Sequence, residues 1–579
     1  MEFTTLIGSR LGGTLRAALL LVAVNGVYAC SANEETSLVE DGLVEEGTLL
    51  HGRITSADGN AVAGVPVRAR GEGDNFSVVV YSSEDGAYSF PAWSDLSPGS
   101  HNVSIELPDF EHARHDAIAL SEETPARLDF ALTPRAPSVA DATASEILAA
   151  LPGGHEEKVL FAQCSNCHTL QRALRFEFDQ EGWGQVIDLM AGSRNLSRDF
   201  PESYTYGQQR FREPLSAYIA SIRGPGSSDE IPFKLRPRPT SAEATNLVLT
   251  EYDLPRGGER ELYMLRGDAR HVWPHDVVVD DKYAYYTDHF SNALGRVDKE
   301  TGEAIELSYP VPPGGGRDTN VAAGEVRAGN PGGGSHDLLI DSQGNLLIGM
   351  DGATVRYDTV TEEFDHWLSG NNMFGLGPDD RIWHTDDGGP LMEVNTRTGE
   401  IIEHAIPTNA GVYDMDTDSQ GRTIVNLWRN NGIGVFDSET GDYSTYEVPT
   451  PESGPRRGEI DAEDNLWTTL YYAGRIIRFD PDTGEIKEYP LNPGSEAYTP
   501  PYAAPYSLSV DNKNGWVWTN DFNANRLYRI DIETGESTEY FMPRPYVMRD
   551  MTVEEGTERP TLWIPSYRPP SQIVKVQVR

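Results

Sequence analysis

Hydrophobic and polar positions follow one repeating pattern along the C-terminal half of the chain, with a period of about 40–60 residues. Within each unit, apolar and polar residues alternate as they do in half-buried strands. Residues 295–298 (GRVD) precede a Thr-Gly-Glu turn at 301–303, and residues 477–480 (IRFD) precede the same turn at 483–485. A strand rich in Glu and Tyr follows. Repeats of this length and composition are typical of propeller blades.

Seven units can be distinguished between residues 246 and 579. They start near Pro274, Ser335, Met373, Val412, Arg457, Pro505 and Arg549. The last unit lacks its own fourth strand, but residues 250–255 (TEYDLP), ahead of the first unit, match the fourth strand at 487–491 (KEYPL). Pairing of the two ends would close a ring and leave no open sheet edge. The pattern therefore predicts a seven-bladed β-propeller.

Two other patterns precede the repeats. Residues 47–134 contain short alternating strands separated by turn dipeptides such as Asp58-Gly59, which predicts a small β-sandwich. Residues 135–224 show helical spacing, and Trp183 and Met190 share one helix face. An acidic tether at 30–46 and a Pro- and Ser-rich linker at 225–245 flank these segments. The expected fold class is multidomain and mainly β, with a small β-sandwich, an α-helical domain and a seven-bladed β-propeller.

The charge of the chain narrows the classes of partner. The 579 residues carry a net charge of −43, from 90 acidic and 47 basic residues. A surface this acidic repels nucleic acid and anionic lipid, so we expect neither as a partner.

The N-terminus carries the features of an export signal. Arg10 and Arg16 precede an apolar run at 17–24, and Ala29 stands before a cleavage point, so residues 1–29 are predicted to be a signal peptide. The next residue, Cys30, resembles the lipidated cysteine of a bacterial lipobox, whereas ordinary cleavage beside an unmodified cysteine is the alternative. We expect an exported bacterial protein, located in the periplasm or as an outer-membrane lipoprotein, that touches the membrane only through this anchor.

The segment Cys164-Ser165-Asn166-Cys167-His168 has the spacing of a covalent haem c site. In a continuous helix over 156–174, both thiols would reach one porphyrin and His168 would bind the iron. Met190 is the candidate for the sixth ligand, because a thioether suits an electron-transfer haem. His155 and an open sixth position are alternatives. A thioredoxin-like redox pair or half of a zinc site are the other interpretations of the motif.

Family resemblances add expectations about each segment. Residues 63–67 (AGVPV) and 85–90 (DGAYSF) resemble the carboxypeptidase regulatory-like family, a β-sandwich that has no catalytic residues. Residues 135–224 resemble small class I cytochromes c, in which a Trp-x-x-Val-(Val/Ile)-x-x-Met helix follows the haem motif. This second resemblance implies one haem c and a redox partner protein.

The repeats resemble the virginiamycin B lyase family, as seen in residues 273–277 (WPHDV) and 292–297 (NALGRV). This resemblance implies a central funnel that holds Mg²⁺ and a histidine base in a Glu-Pro-His-Gly motif. Here Trp273 replaces the glutamate, and no Glu-Pro-His-Gly occurs in the sequence.

Residues at the blade starts should line the mouth of this funnel. They include His275, Asp276, His336, Asp337, Asp414, Arg457, Arg549 and Asp550. Histidine and carboxylate side chains could hold Mg²⁺ or another divalent metal, or a small-molecule or saccharide ligand. A polar, water-filled channel is the alternative. Further candidates are Asp288, His289, His384 and Asp386.

Three functions remain open at this stage. The first is electron transfer through one haem c, coupled to a propeller that binds a ligand or substrate. The second is metal-assisted β-elimination in the funnel, with His275 or His336 as the base and an auxiliary haem. The third is a non-catalytic scaffold or sensor at the cell surface.

Overall fold

The computed structural model describes residues 46–166, 168–192, 204–228, 230–257, 271–309, 334–350, 353–385, 389–407, 411–492 and 502–579. All of these belong to one compact unit. The predicted signal peptide at 1–29, the predicted tether up to residue 45, and the candidate residues Cys30, Cys167 and Asp386 lie outside the described residues.

The first segment forms a β-sandwich. Its strands are β1 (Leu50–Ser56), β2 (Pro66–Gly71), β3 (Phe76–Tyr81), β4 (Ala87–Ser89), β5 (Gly99–Ile105), β6 (Ala113–Leu120), β7 (Ala126–Arg127) and β8 (Phe130–Leu132). One sheet contains β4, β1, β7 and β8, and the other runs in the order β3-β2-β5-β6. Alternate residues such as Val67, Val80 and Val103 point into a shared apolar core with Ile54 and Phe90.

A helical region follows the sandwich. It contains α1 (Ala144–Ala150), α2 (His155–Ala162), α3 (Leu170–Leu174), α4 (Gln180–Gly192) and α5 (Tyr204–Arg223). The buried side chains of Ile147, Phe161, Trp183 and Leu215 form its core. Among the described helices, none combines the length and the apolar character that a membrane span requires.

The prediction of one continuous helix through the cysteine motif is wrong. The helix α2 ends at Ala162, and a single 3₁₀ turn covers Gln163–Asn166 before α3 begins at Leu170. The hydroxyl of Ser165 donates to the carbonyl of Ala162 at 2.6 Å, and Arg568 of the propeller donates to the carbonyl of Ser165. These contacts hold the turn in place between the two helices.

Seven four-stranded antiparallel blades form the propeller. Blade 1 contains β10 (Pro274–Val279), β11 (Tyr283–Asp288), β12 (Ala293–Asp298) and β13 (Ala304–Ser308). Blade 2 contains β14 (Ser335–Ile340), β15 (Leu346–Met350), β16 (Ala353–Asp358) and β17 (Glu363–Leu368). Blade 3 contains β18 (Gly375–Leu376), β19 (Arg381–Thr385), β20 (Leu391–Asn395) and β21 (Ile401–His404). Blade 4 contains β22 (Val412–Thr417), β23 (Arg422–Leu427), β24 (Gly432–Asp437) and β25 (Tyr443–Glu447). Blade 5 contains β26 (Pro455–Ile460), β27 (Leu466–Leu470), β28 (Arg475–Phe479) and β29 (Ile486–Pro490). Blade 6 contains β30 (Leu508–Asp511), β31 (Trp516–Asp521), β32 (Arg526–Asp531) and β33 (Ser537–Phe541). Blade 7 contains β34 (Thr552–Val553), β35 (Thr561–Ser566), β36 (Gln572–Val578) and β9 (Leu247–Asp253).

The repeated Thr-Gly turn has a local physical cause. In blade 1, the carboxylate of Asp298 accepts the backbone N–H of Thr301 at 2.9 Å, and Gly302 takes a positive φ of 72°. Blade 5 repeats this geometry, with Asp480 bonded to Thr483 at 3.1 Å and a φ of 76° at Gly484. Aspartate favours such turns because its side chain caps nearby N–H groups, and glycine tolerates the left-handed conformation.

The predicted ring closure is confirmed, and the closing strand has a second partner. The strand β9 pairs antiparallel with β36, placing Tyr252 opposite Ile573. On its other side β9 pairs with β3 of the sandwich, placing Leu249 opposite Val79. The two domains therefore share one eight-stranded sheet, and the sandwich covers the outer edge of blade 7.

A buried ion pair strengthens this junction. Arg68 of β2 binds Glu251 of β9 through two hydrogen bonds of 2.7 and 2.9 Å. The hydroxyl of Tyr546 also donates to Glu251, whose side chain is fully buried. Burial alone would raise the pKa of this glutamate, but the charges of Arg68 and Arg544 lower it to about 2. The carboxylate is therefore ionised inside the junction.

We expect Glu251→Gln to lower the free energy of unfolding by about 3–5 kcal/mol, because Arg68 then remains buried with only the more distant and partly exposed Glu106 as a counter-charge, at 3.8 Å. Urea unfolding of the full chain measures this change. The control is Asp116→Asn, which breaks the exposed Arg114–Asp116 pair and should cost at most about 1 kcal/mol. Equal losses in both variants would contradict a stabilising role of the buried pair.

Candidate functional site

The first strand of each blade lies beside the central channel. Neighbouring first strands contact one another around the ring, as β10 does with β14 and with β34, and β26 does with β22 and β30. Equivalent residues of successive blades therefore lie at the same level. Two such levels hold most of the predicted funnel residues. We call the level of His275 and His336 the upper tier, and the level of Asp276 and Asp337 the lower tier.

The lower tier is an arginine surrounded by carboxylates. The guanidinium of Arg457 donates to both carboxylate oxygens of Asp276 at 3.1 and 2.9 Å, to Asp550 at 3.0 Å, and to Asp337. Asp414 accepts the backbone N–H of Gly458 at 2.9 Å. These groups come from blades 1, 2, 4, 5 and 7, so the tier ties distant parts of the ring together.

Burial and crowding weaken the acidity of these carboxylates. Burial raises the pKa of Asp276 to about 8 despite the opposing charge of Arg457, and it raises the pKa of Asp550 to about 8 with a further contribution from Asp276. Burial likewise raises the pKa values of Asp337 and Asp414. The charge of one guanidinium therefore opposes the effect of burial without restoring the ordinary acidity of these four carboxyl groups.

The upper tier contains three histidines in mutual contact. The ring centroid of His275 lies 3.7 Å from that of His336 and 4.7 Å from that of His289, and the latter two are 5.2 Å apart. The Nδ1 of His275 lies 2.5 Å from the carboxylate of Asp276, and the Nδ1 of His336 lies 2.9 Å from that of Asp337. One ligand atom from each of the three rings lies within 4.8 Å of the others, close enough to share a metal ion.

Arginine and aromatic side chains complete the upper tier. The guanidinium of Arg456 lies 4.0 Å from the ring centroid of Tyr506 and 4.7 Å from that of Tyr413. Arg549 donates to the hydroxyl of Tyr506 at 3.0 Å and lies 4.2 Å from the ring of Tyr567. Burial would raise the pKa of Tyr506, but the charges of Arg456 and Arg549 lower it to about 8.

Beyond the lower tier, the channel opens into an acidic cavity of about 530 Å³. Its lining includes Asp280, Asp281, Asp416, Glu459, Glu554 and Glu555. Burial raises the pKa of Asp416 to about 6 and that of Glu459 to about 8. The two ends of the channel therefore differ in charge, with arginines and histidines at one end and carboxyl groups at the other.

The described residues of the cysteine motif, Cys164–Asn166 and His168, lie against the propeller. Cys164 is half-buried and, like Met190, packs against the helical core. His168 is half-buried, its Nδ1 lies 2.9 Å from the carbonyl of Thr169, and burial lowers its pKa to about 4. The alternative ligand His155 stacks on Tyr502 at 6.3 Å.

Two neighbouring propeller residues connect this motif to the histidine cluster. Arg568 donates to the carbonyl of Ser165, and its charge also lowers the pKa of His168, behind the larger effect of burial. The hydroxyl of Tyr567 lies 3.2 Å from Nδ1 of His289. The adjacent residues Tyr567 and Arg568 therefore contact the upper tier and the motif, respectively.

The structure separates the weaker candidates. His289 joins the upper tier, whereas Asp288 binds Arg256 at 2.6 Å and Ser291 at 2.7 Å as part of the blade. His384 lies in blade 3, 3.1 Å from the hydroxyl of Ser369. The sequence analysis missed Arg456, although it occupies the same blade-start position as His275 and Tyr506 and an alignment of the blades would have shown it.

Comparisons with known proteins agree with this architecture. Residues 50–133 match the family model of the carboxypeptidase regulatory-like domain, and residues 348–553 match that of the virginiamycin B lyase family. The propeller is virginiamycin B lyase-like. The matched stretch begins after His336, so the three histidines of the upper tier lie outside it.

Individual similar proteins are more distant. A streptogramin B lyase structure is 18% identical, with a TM-score of 0.45, and covers 58% of this chain and 100% of its own. A virginiamycin B lyase from Staphylococcus aureus is 20% identical, with a TM-score of 0.45, and covers 57% and 100%. Regucalcin from Xenopus laevis is 25% identical over 161 residues, which are 26% of this chain and 44% of that relative, so the chain spans less than half of its length.

The raised pKa of Glu459 predicts a pH dependence of stability. The pKa of a glutamate in an unfolded chain is about 4.3, whereas burial raises the pKa of Glu459 in the folded chain to about 8. Between these two pH values, the folded chain keeps a proton that the unfolded chain has lost. The stabilisation is fully present below the lower value and is lost as pH rises through the upper one. We expect the melting temperature to fall from pH 5 to pH 9 and Glu459→Gln to flatten this decline.

Thermal unfolding of the full chain across this pH range measures the effect. The exposed Glu463 of the same blade supplies the control, Glu463→Gln, which should keep the wild-type slope. A Glu459→Gln variant whose melting temperature declines as steeply as that of the wild type would show that this carboxyl does not hold the proton.

Proposed function

We propose that the chain binds a small anionic ligand at the upper tier of the propeller. The observation that carries this proposal is the convergence of His275, His289 and His336 with Arg456 and Arg549 at one end of the channel. Side chains from four blades meet there, whereas a purely structural core of a propeller needs only apolar packing between adjacent sheets.

The charges of this tier favour an anion. Arg456 and Arg549 contribute two permanent positive charges, and aromatic faces at 4.0–5.4 Å surround them. Guanidinium groups held in a fixed orientation suit carboxylate and phosphate ligands. In the tier below, Arg457 is bound to three carboxylates, so its charge is offset and contributes less to the upper tier.

Lyase chemistry is less well supported by this site. The similarity to the virginiamycin B lyase family covers residues 348–553 and leaves out all three histidines. The Glu-Pro-His-Gly motif is absent from the sequence, and Trp273 precedes Pro274 and His275 in its place. The site therefore supports ligand binding better than elimination.

Native mass spectrometry of the full chain, purified from its host without denaturation, tests the proposal. We expect a non-covalent adduct that is lost on denaturation, and we expect Arg549→Met to lose it because the ligand loses a cationic partner. The control His112→Ala changes an exposed sandwich histidine and should keep the adduct. A wild-type chain without an adduct, or an adduct that persists in Arg549→Met, would contradict binding at this tier.

Electron transfer through haem c is the second candidate function. The observation in its favour is the hydrogen bond of Nδ1 of His168 with the carbonyl of Thr169, which leaves Nε2 as the ligand atom. Histidines that bind metals usually have their other ring nitrogen held in this way. Burial also keeps this imidazole neutral, as an iron ligand must be. Cys164 and Cys167 would attach the haem, and Met190 would be the sixth ligand.

We expect the chain, produced with a haem c attachment system, to give the pyridine haemochrome spectrum of a thioether-linked haem. Cys164→Ala should shift this spectrum toward that of a haem with one saturated vinyl group or lose the haem. Cys30→Ser, at the predicted lipid anchor, should leave the spectrum unchanged. A full chain that carries no covalent haem under these conditions would contradict the second candidate.

A further inference from the structure

The three histidines of the upper tier have a second set of contacts in common. Each ring has Nδ1 next to an oxygen: His275 next to Asp276 at 2.5 Å, His336 next to Asp337 at 2.9 Å, and His289 next to the hydroxyl of Tyr567 at 3.2 Å. In His275, whose Nδ1 is engaged by Asp276, Nε2 is the nitrogen left to bind a ligand. Metal-binding histidines usually show this arrangement, in which an outer oxygen fixes the orientation of the ring.

Unlike Nδ1 of the same ring, the Nε2 atom of His275 has no hydrogen-bond partner among the described residues. This atom is fully buried and makes no hydrogen bond with any residue that the structure describes. A buried polar atom without a partner costs about 1–3 kcal/mol, so such atoms are rare unless they serve a purpose. Its neighbours are two further imidazoles at 3.7 and 4.7 Å, which can supply additional nitrogen ligands.

We infer that His275, His289 and His336 together bind one transition-metal ion of the zinc or copper type. This inference rests on the proposed function, because the ion would lie where the anionic ligand binds. Imidazole nitrogens suit zinc, copper, nickel and iron, whereas Mg²⁺ and Ca²⁺ prefer carboxylate, carbonyl and water oxygens. The donor set therefore points away from the magnesium ion that the family resemblance implies.

The neighbouring carboxylates do not provide an equally good site. Asp276, Asp337 and His336 also lie within 4.8 Å of one another, but Arg457 donates to both carboxylates. A cation placed between them would have to displace this guanidinium. The carboxylates instead act as outer partners that orient His275 and His336, as they do in carboxylate–histidine–zinc triads.

A site with three histidine ligands leaves a coordination position open. Structural zinc sites are closed by four protein ligands, whereas sites with three protein ligands bind water or a substrate at the fourth position. Arg549, which lies over the ring of Tyr567, brings a positive charge to the same tier. An oxygen of an anionic ligand would therefore complete the coordination of the ion, and its remaining charge would face the arginine.

The experiment uses the full chain after removal of metal by a chelator. Titration with Zn²⁺, followed by calorimetry, should show one site that His289→Ala and His336→Ala weaken by at least 100-fold. Asp337→Asn keeps the ligands but removes the outer carboxylate, so it should weaken binding by about 10–100-fold. The control Cys164→Ala should keep this site, which excludes binding at the cysteine motif.

Two further measurements keep the inference testable if a variant folds poorly. Co²⁺ should give visible absorption bands of a site with three nitrogen ligands, and Zn²⁺ should raise the melting temperature of the wild type but not that of His289→Gln. Unchanged Zn²⁺ affinity in His289→Ala and His336→Ala, or the absence of a site in the folded wild type, would overturn the inference. If the folded chain binds the anionic ligand but not Zn²⁺, the metal inference fails while the proposed function stands.

Discussion

The centre of the propeller depends on the ion pairs of one buried arginine. Arg457 comes from blade 5 but binds Asp276 of blade 1, Asp337 of blade 2 and Asp550 at the start of blade 7. A buried charge without partners costs several kcal/mol, so the guanidinium requires these carboxylates and they require it. Asp276 and Asp337 also hold the rings of His275 and His336. The orientation of the histidine tier is therefore set by the ion-pair tier beneath it.

Ring closure and domain attachment use the same strand. Because β9 precedes blade 1 in the sequence, its pairing with β36 joins the two ends of the propeller segment. Its other edge pairs with β3, and the buried Arg68–Glu251 pair crosses this junction. An edge strand of a closed propeller normally faces solvent, where it invites unwanted pairing. Here the sandwich occupies that edge, so the two domains form one continuous sheet rather than two bodies on a flexible linker.

The sequence predicts those features that local chemistry determines. Blades 1, 2, 4, 5 and 6 share an aspartate-capped turn, as shown by Asp298 with Thr301, and the ring closes because residues 250–255 carry the pattern of a fourth strand. The pairing of β3 with β9 and the break in the helix at Ser165 depend on contacts between segments far apart in the chain. No local pattern encodes such contacts. His289 was only a weaker candidate for the same reason, since it lies in a loop after β11 and not at a blade start.

His168 and the three histidines of the upper tier share one chemical feature, and two adjacent residues of the propeller lie between them. Each has Nδ1 next to an oxygen of the protein, which fixes the orientation of the ring. Tyr567 contacts His289, and its neighbour Arg568 contacts the carbonyl of Ser165, three residues before His168. Two adjacent side chains of the propeller therefore contact the histidine tier on one side and the segment that carries the cysteine motif on the other.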